Sequence, residues 1–261
     1  INDNNELILE LAGTSGITTV GSIASSDGVT FNNMESVPDL TIKSPANGTV
    51  EVNMNLAALS GASDQSTITV SGTGAGLDIA YTDDGVAATA ASSVLETVEI
   101  VSQSVANTIN DLQLDAVGTT TLKISGDKKL TISTATDATV AVIDGSASSG
   151  GFTLADISFA SPTVTGGAGA DTITAVGGGA TESYSMGGGN DSVDFANTFT
   201  GTDVYDGGDG VDTLIVGTDG FSNAGTASTI SAGLSNVEVL SLTAAGTISL
   251  ESDTSINTIA I

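Results

Sequence analysis

Apolar and polar residues alternate along several short stretches in the first half of the chain. Period-two alternation is typical of a β-strand with one buried face and one solvated face. The pattern therefore predicts short strands rather than helices. The clearest alternating apolar positions are Val50, Val52, Met54 and Leu56, then Ile68 and Val70, then Leu77 and Ile79.

Further along, pairs of apolar residues recur every eight to ten residues, separated by Gly, Asp, Ser or Thr. Such a rhythm is usually typical of a β-sandwich or a barrel. The same spacing is equally typical of a solenoid, in which the strands stack as successive coils. The pairs are Leu112 and Leu114, Leu122 and Ile124, Leu130 and Ile132, and Val140 and Val142.

A nine-residue repeat occupies 166–215. The copies at 166–174 and 207–215 fit the pattern G-G-x-G-x-D-x-U-x at every position, where U is apolar. Three imperfect copies lie between them, at 177–185, 186–194 and 198–206. A single Gly-Asp turn is common in surface loops, but five copies in register are not explained by chance.

Each nonapeptide is expected to form half a turn of a parallel β-roll, with a glycine-rich bend followed by a short strand. Glycine is needed where the bend adopts positive φ and brings its carbonyls close to neighbours. Because alternate copies stack on the same edge, Asp171, Asp191 and Asp212 should form one column. Glu182 and Asp203 should form a second column on the opposite edge.

Carboxylates and carbonyls stacked in this way provide the six to eight oxygen ligands that Ca²⁺ prefers. Mg²⁺ fits less well because it needs a small octahedral shell and retains its water. We therefore predict a calcium site, with Asp209 as an additional ligand. The predicted metal-site residues are Gly167, Gly169, Asp171, Glu182, Gly187, Gly189, Asn190, Asp191, Asp203, Gly208, Asp209, Gly210 and Asp212.

The fold that joins these observations is all-β, a right-handed parallel β-helix or β-solenoid that contains the calcium β-roll. The alternative is a β-sandwich-like domain followed by a β-roll. We expect β-rich coils over 1–150, the roll over 151–220 with its array at 166–215, and further solenoid coils over 221–261.

The charge of the chain agrees with cation binding. There are 31 acidic and 4 basic residues, giving a formal net charge of −27, and no basic residue lies beyond position 129. Such a surface repels nucleic acid and anionic lipid. The mean hydropathy of +0.26 argues against general disorder. Divalent cations would relieve the self-repulsion of the array.

Several classes of chemistry are excluded by composition. The chain has no His and no Cys, so Ser-His-Asp triads, zinc sites and thiol nucleophiles cannot be assembled. Aromatic residues make up only 3% of the chain, too few for the sugar platforms of a glycosidase. No apolar run is long enough to span a membrane. The chain begins at Ile1 without an initiator Met, which we interpret as a piece of a larger protein.

A second repeat has the form [FL]-x-[NT]-[MV]-E-x-[VL] and places Glu35, Glu99 and Glu238 at equivalent positions. These carboxylates either face solvent and cap neighbouring backbone or act as further calcium ligands. We favour the first interpretation because no glycine-rich bend adjoins them.

The nonapeptides at 166–174, 186–194 and 207–215 resemble those of the repeats-in-toxin (RTX) family of calcium-loaded β-rolls exported by type I secretion. Together with the Ser/Thr-rich coils, the low content of basic residues and the lack of Cys, they resemble bacterial surface-layer (S-layer) proteins of the RTX type. The array is short, interrupted and partly degenerate compared with the long arrays of the toxins.

The resemblance implies a non-enzymatic structural segment of a secreted S-layer protein on the bacterial cell surface. Its partners would be copies of itself in a two-dimensional lattice, and cell-envelope polysaccharide bound through another part of the protein. Neither nucleic-acid binding nor membrane insertion is expected. The alternatives are a calcium-dependent RTX adhesin or biofilm protein and the C-terminal secretion module of an RTX exoenzyme.

Overall fold

The computed structural model describes residues 7–25, 27–43, 48–74, 76–83, 94–136, 139–159, 163–175, 181–196, 198–199, 202–217, 233–243, 256 and 258–260. In the first half of the chain the strands are β1 (Leu7–Glu10), β2 (Thr19–Ile23), β3 (Val29–Met34), β4 (Asp39–Lys43), β5 (Gly48–Met54), β6 (Gln65–Ser71), β7 (Leu77–Asp83), β8 (Thr97–Gln103), β9 (Asn107–Gln113), β10 (Thr121–Gly126) and β11 (Leu130–Thr136). In the second half they are β12 (Val142–Ser148), β13 (Phe152–Ser158), β14 (Thr163–Thr165), β15 (Thr172–Ala175), β16 (Ser183–Ser185), β17 (Ser192–Asp194), β18 (Val204–Asp206), β19 (Thr213–Val216), β20 (Leu234–Ser235), β21 (Val239–Leu242) and β22 (Thr258–Ala260).

The strands form two long parallel sheets. The odd-numbered strands and β22 make a 12-stranded sheet, and the even-numbered strands from β2 to β20 make a 10-stranded sheet. From β1 to β21, successive strands alternate between the sheets, so each pair of strands completes one coil, and about nine coils stack along the axis. The prediction of an all-β, right-handed parallel β-solenoid is confirmed. The sandwich alternative is not what the chain forms, because a sandwich pairs antiparallel strands.

The core is a set of stacked aliphatic side chains. Along the 12-stranded sheet, Ile109, Ile132, Leu154, Ile173, Val193, Leu214 and Leu240 occupy matching register positions and are fully buried. Each inward residue therefore packs on the residue one coil before and one coil after it. Because the inward residues stack in this way, period-two alternation that recurs at each coil specifies a parallel β-solenoid.

One predicted core position is wrong. Val142 was paired with Val140 as an inward residue, but Val142 is 39% exposed, whereas Val140 and Ile143 are buried. Because β12 begins at Val142, the alternation along the strand starts with an outward residue. Val140 is a core residue that precedes the strand. Val140 and Val142 therefore do not belong to one alternating pattern of inward and outward residues.

Two 3₁₀ helices, Leu56–Leu59 and Asp115–Val117, lie between strands. The first begins where Asn55 accepts a hydrogen bond from the Ala57 N–H (2.9 Å). Leu56, the last position of the first alternating stretch, thus lies in a helical turn rather than in a strand. The 12-stranded sheet continues across positions 150 and 220, since β11 pairs with β13 and β19 pairs with β21. The 10-stranded sheet does so through the pairs β12–β14 and β18–β20.

Candidate metal centre

Three acidic residues stand directly before three neighbouring strands of the 12-stranded sheet. Asp171, Asp191 and Asp212 precede β15, β17 and β19, which pair in parallel and in register. Their side chains therefore stack one coil apart, about 4.8 Å in the direction of the sheet hydrogen bonds. All three are buried, with exposures of 0%, 1% and 0%. We name Asp171, Asp191 and Asp212 the aspartate column.

Each carboxylate of the aspartate column accepts a hydrogen bond from the backbone of the preceding coil. Phe152 N–H donates to Asp171 Oδ1 (2.8 Å), Asp171 N–H to Asp191 Oδ1 (2.7 Å), and Asp191 N–H to Asp212 Oδ1 (2.8 Å). One oxygen of every aspartate thus has a structural role that ties two coils together. The second oxygen of Asp171 accepts a hydrogen bond from Gly167 N–H (2.8 Å), whereas Asp191 Oδ2 and Asp212 Oδ2 have no partner among the described residues.

Glu238 continues the column, although its sequence pattern lacks the glycine-rich bend. Glu238 Oε2 accepts a hydrogen bond from Asp212 N–H (2.9 Å), and Val239 pairs with Thr213. The predicted backbone-capping role of Glu238 agrees with this contact. In the sequence, Glu238 lies directly before an alternating apolar stretch, as Asp212 does. This position is the feature that could have identified Glu238 as a member of the column. Glu35 also caps backbone, accepting from Gly13 N–H (2.8 Å), and Glu99 accepts from the Ser125 hydroxyl (2.8 Å).

The glycine bends stack so closely that a side chain at several of these positions would overlap the backbone of the neighbouring bend. Gly187 packs against the Gly167 carbonyl and Gly208 against the Gly187 carbonyl, while Gly169, Gly189 and Gly210 form a parallel stack. A side chain at Gly210 would overlap the Gly189 carbonyl, and its φ of +152° is a conformation that only glycine adopts readily. Hydrogen bonds from Gly188 N–H to Gly167 O (2.9 Å) and from Asp209 N–H to Gly187 O (2.8 Å) join the bends.

Asn190 and Asp209 lie on the outer part of these bends. Asn190 Oδ1 accepts a hydrogen bond from Val211 N–H (3.0 Å), which ties its bend to the next. Asp209 is exposed, and its negative charge contributes to raising the pKa of Asp212. Asn190 therefore has a structural contact, whereas Asp209 acts on the column through its charge.

Glu182 and Asp203 are not part of this site. They precede β16 and β18 in the 10-stranded sheet, on the opposite edge of the solenoid, where Glu182 N–H donates to Asp203 Oδ1 (2.8 Å). Both are buried, at 3% and 2% exposure. The glycines predicted to form the bends before them, at 177–179 and 201, lie outside the described residues. The thirteen predicted ligands thus divide into two separate sets.

Comparison of the chain with protein-family models, with curated proteins and with solved structures finds no match. The structure shows a β-solenoid, and this fold alone does not identify a protein family. Within the described residues there is no helix of the length and apolarity needed to cross a membrane.

Burial strongly affects the ionisation of the aspartate column. Removal from water raises the pKa of Asp171 to about 6 and that of Asp191 to about 7, and it raises the pKa of Asp212 as well. The charges of Asp171 and Asp212 add to the effect on Asp191. Near neutral pH the column therefore carries negative charge that the protein does not fully compensate.

The donor set of the column fits a hard divalent cation. Asp191 Oδ2 and Asp212 Oδ2 are buried and have no hydrogen-bond partner among the described residues. Within the same residues no three acidic, His or Cys side chains are gathered around one point. A cation at the column would therefore need backbone carbonyls in addition to carboxylates, a combination of hard oxygen donors that suits Ca²⁺.

In the absence of divalent cations, the stability of the chain is expected to fall as pH rises from about 4 to about 7. The folded pKa values of Asp171 and Asp191 lie above the ordinary value of 3.8. The folded state therefore binds more protons in this window, and ionisation removes stability at about 1.4 kcal/mol per unit of pKa shift. Melting temperatures measured in EDTA across this pH range check the prediction.

The control for this pH dependence is Asp191→Asn, which keeps the oxygen that accepts from Asp171 N–H but cannot ionise. We expect a flatter dependence of melting temperature on pH in this variant. If its slope equals that of the unmodified chain, the ionisation of Asp191 does not govern the pH dependence.

Proposed function

We propose that this chain is a non-enzymatic structural segment of a secreted bacterial S-layer protein, in which Ca²⁺ stiffens the solenoid and permits lattice assembly. The observation that carries the proposal is the aspartate column, whose stacked carboxylates are buried and partly unpaired. A buried carboxylate without compensation is costly, so its place in a repeated framework indicates a ligand. We infer that this ligand is Ca²⁺.

Calcium concentration explains how such a segment would be exported and then folded. At the low calcium of the cytosol, repulsion within the column keeps the roll loose. Outside the cell, millimolar Ca²⁺ suits the affinities of about 10⁻⁴–10⁻³ M that are typical of extracellular modules. Binding then supplies folding free energy at the location where the protein works.

A structural role fits the remaining surface better than a catalytic or sugar-binding role. The chain has no His or Cys to act as base or nucleophile. Every aromatic side chain that the structure describes is buried, so these residues offer no exposed platform for a sugar ring. The adhesin alternative is therefore less well supported than lattice formation.

The proposed partners follow from the same features. Copies of this chain would form the lattice, and cell-envelope polysaccharide would be bound through another part of the protein. Nucleic acid and membrane insertion are not part of the proposal, because a net charge of −27 repels polyanions. The proposed location is the outer surface of a bacterial cell.

Electron microscopy of the purified chain tests lattice assembly. We expect ordered two-dimensional arrays at about 10 mM Ca²⁺, well above the affinities expected for such modules, and dispersed particles in excess EDTA. The double variant Asp191→Asn/Asp212→Asn should remain dispersed in both conditions. Arrays that form equally well in EDTA would contradict the calcium requirement. Dispersed particles under all conditions would contradict self-assembly.

A further inference from the structure

The glycine bends of the roll belong to a longer stack of bends on one edge of the solenoid. This stack consists of the last residue of each even-numbered strand and the bend that leads to the next odd-numbered strand, and we name it the bend edge. Ser149 N–H donates to Gly126 O (2.9 Å), and Ala168 N–H donates to Ser148 O (2.9 Å). These bonds join the roll to the bends of the first half of the chain. The bend edge is therefore one continuous surface.

Charge is segregated along the bend edge. From β2 to β11 it carries three basic residues, Lys43, Lys128 and Lys129, and two acidic residues, Asp27 and Asp127. From β12 to β21 it carries six acidic residues and no basic residue, although the net charge of the whole chain is −27. The six are Asp171, Asp191, Asp206, Asp209, Asp212 and Glu238. The edge thus has a weakly basic half and an acidic half.

Charges of both halves are available to a partner. Lys43 and Lys129 are exposed, and among the described residues only Lys128 forms an ion pair, with Asp127 (2.7 Å). In the acidic half Asp209 is exposed. Lys129 and Asp209 therefore present opposite charges to solvent from the two halves of one edge.

An exposed valine accompanies the charge in each half. Val105 is 53% exposed and lies in the bend one coil before Lys129. Val211 is 54% exposed and lies two residues after Asp209. Covering these side chains would remove apolar surface from water, which is favourable. Each half of the bend edge therefore combines an apolar contact with a charge of one sign.

The middle of the bend edge permits close approach by another surface. The bends at 149–151 and 166–171 consist of Ser, Gly and Ala apart from the buried Asp171. None of the small residues there has a long side chain that would hold a partner away. Val105 and Val211 lie five coils apart, and these two bends are midway between them.

We propose that the bend edge pairs with the bend edge of a second copy of this chain in antiparallel orientation. A two-fold axis through the middle of the edge brings the basic half of each copy onto the acidic half of the other. Val105 then lies against Val211 of the second copy, and Lys129 lies one coil from Asp209, a distance that a lysine side chain spans. Such an interface is isologous, so each contact occurs twice. The inference rests on the proposed self-assembly and names a surface for it.

The charges of the edge favour a second copy over a polyanion. An acidic polymer would be attracted by Lys43 and Lys129 but repelled by the acidic half that continues the same surface. A second copy in antiparallel orientation satisfies both halves at once. Opposed charges of this kind set orientation and register in protein interfaces.

Charge reversal in the complete chain tests the pairing by sedimentation velocity in buffer containing Ca²⁺. Lys129→Glu opposes acidic side chains, and Asp209→Lys opposes basic ones, twice in each dimer. Each variant alone is expected to raise the Kd for self-association by at least about 10-fold, because like charges across an interface are strongly unfavourable. An equimolar mixture of the two variants should associate, because both contacts between unlike copies then join opposite charges. Loss of Ca²⁺ binding by Asp209→Lys could not produce this rescue.

The matched control removes a lysine that lies away from the bend edge. Lys123 is on the outer face of β10, in register with Glu99 and Asp144. Lys123→Gln and Lys129→Gln change the net charge equally, and only Lys129→Gln is expected to weaken self-association. Far-UV circular dichroism of each variant verifies that the β-sheet is retained.

The outcomes separate this inference from the proposed function. If the unmodified chain self-associates but the mixture associates no better than either variant alone, the bend edge is not the contact and self-assembly stands. The same holds if Lys123→Gln weakens association as much as Lys129→Gln. If dimers follow the expected pattern but ordered arrays never form, the inference stands and lattice formation is contradicted. An unmodified chain that stays monomeric in Ca²⁺ contradicts both.

Discussion

Removing Ca²⁺ is expected to lower the melting temperature of the chain by about 5–10 °C for each cation site that is emptied. With a Kd near 10⁻⁴ M and about 10 mM Ca²⁺, each site stabilises the folded state by about 2.7 kcal/mol. For a chain of this size, 1 kcal/mol corresponds to about 2–4 °C. Thermal unfolding followed by circular dichroism, in Ca²⁺ and in excess EDTA, measures the effect.

Two controls make the chelation experiment specific. Adding Ca²⁺ in excess over EDTA should restore the melting temperature, and Mg²⁺ should restore much less of it because Mg²⁺ retains its water. A melting temperature that is the same in Ca²⁺ and in EDTA would mean that the hydrogen bonds of the aspartate column are sufficient without a cation.

Replacing Gly210 with Ala is expected to destabilise the roll by roughly 1–3 kcal/mol or more, because two effects combine. The residue has a φ of +152°, which is unfavourable for any side chain, and the new Cβ would overlap the carbonyl of Gly189. Relief of the overlap requires the stacked bends to separate. Chemical denaturation in the presence of Ca²⁺ measures the loss.

The matched control is Gly74→Ala. Gly74 lies outside the positive-φ region, and a Cβ at that position would meet nothing within 4 Å. We expect its stability to stay within about 0.5 kcal/mol of the unmodified chain, as for most surface substitutions. Equal stability of the two variants would show that close stacking of the bends is not needed.

The overall fold could be predicted because the same local pattern recurs at each coil. Inward residues such as Ile173, Val193 and Leu214 stack directly on one another, so an apolar position that repeats in sequence becomes a continuous core in space. The phase within a single strand is less well specified. Val142 was misassigned because the pattern does not show whether an apolar residue lies in the strand or in the turn before it.

The two columns could be predicted from spacing alone, but the differences within the aspartate column could not. The pitch of the repeat places Asp171, Asp191 and Asp212 before neighbouring strands. Asp171 Oδ2 is paired with Gly167 N–H, whereas Asp191 Oδ2 and Asp212 Oδ2 are unpaired among the described residues, and the glycines at the equivalent position, Gly187 and Gly208, have positive φ where Gly167 does not. Glycine permits both signs of φ, so identical residues at that position leave the outcome open.

Glu238 shows a second limit of reasoning from the repeat. Its segment lacks the G-G-x-G bend, and a search for nonapeptides therefore ends at position 215. The hydrogen bond from Asp212 N–H to Glu238 nevertheless extends the acidic column by one coil. A carboxylate directly before an alternating strand is the more general signal, because the preceding coil supplies an N–H at that position.

The central claim is that Ca²⁺ bridges the stacked carboxylates of the roll. The most direct measurement is an anomalous difference map from crystals of the chain grown at neutral pH in millimolar Ca²⁺. We predict a peak at about 2.3–2.6 Å from carboxylate oxygens of Asp191 and Asp212. A well-ordered roll with no anomalous peak at either aspartate would contradict the claim.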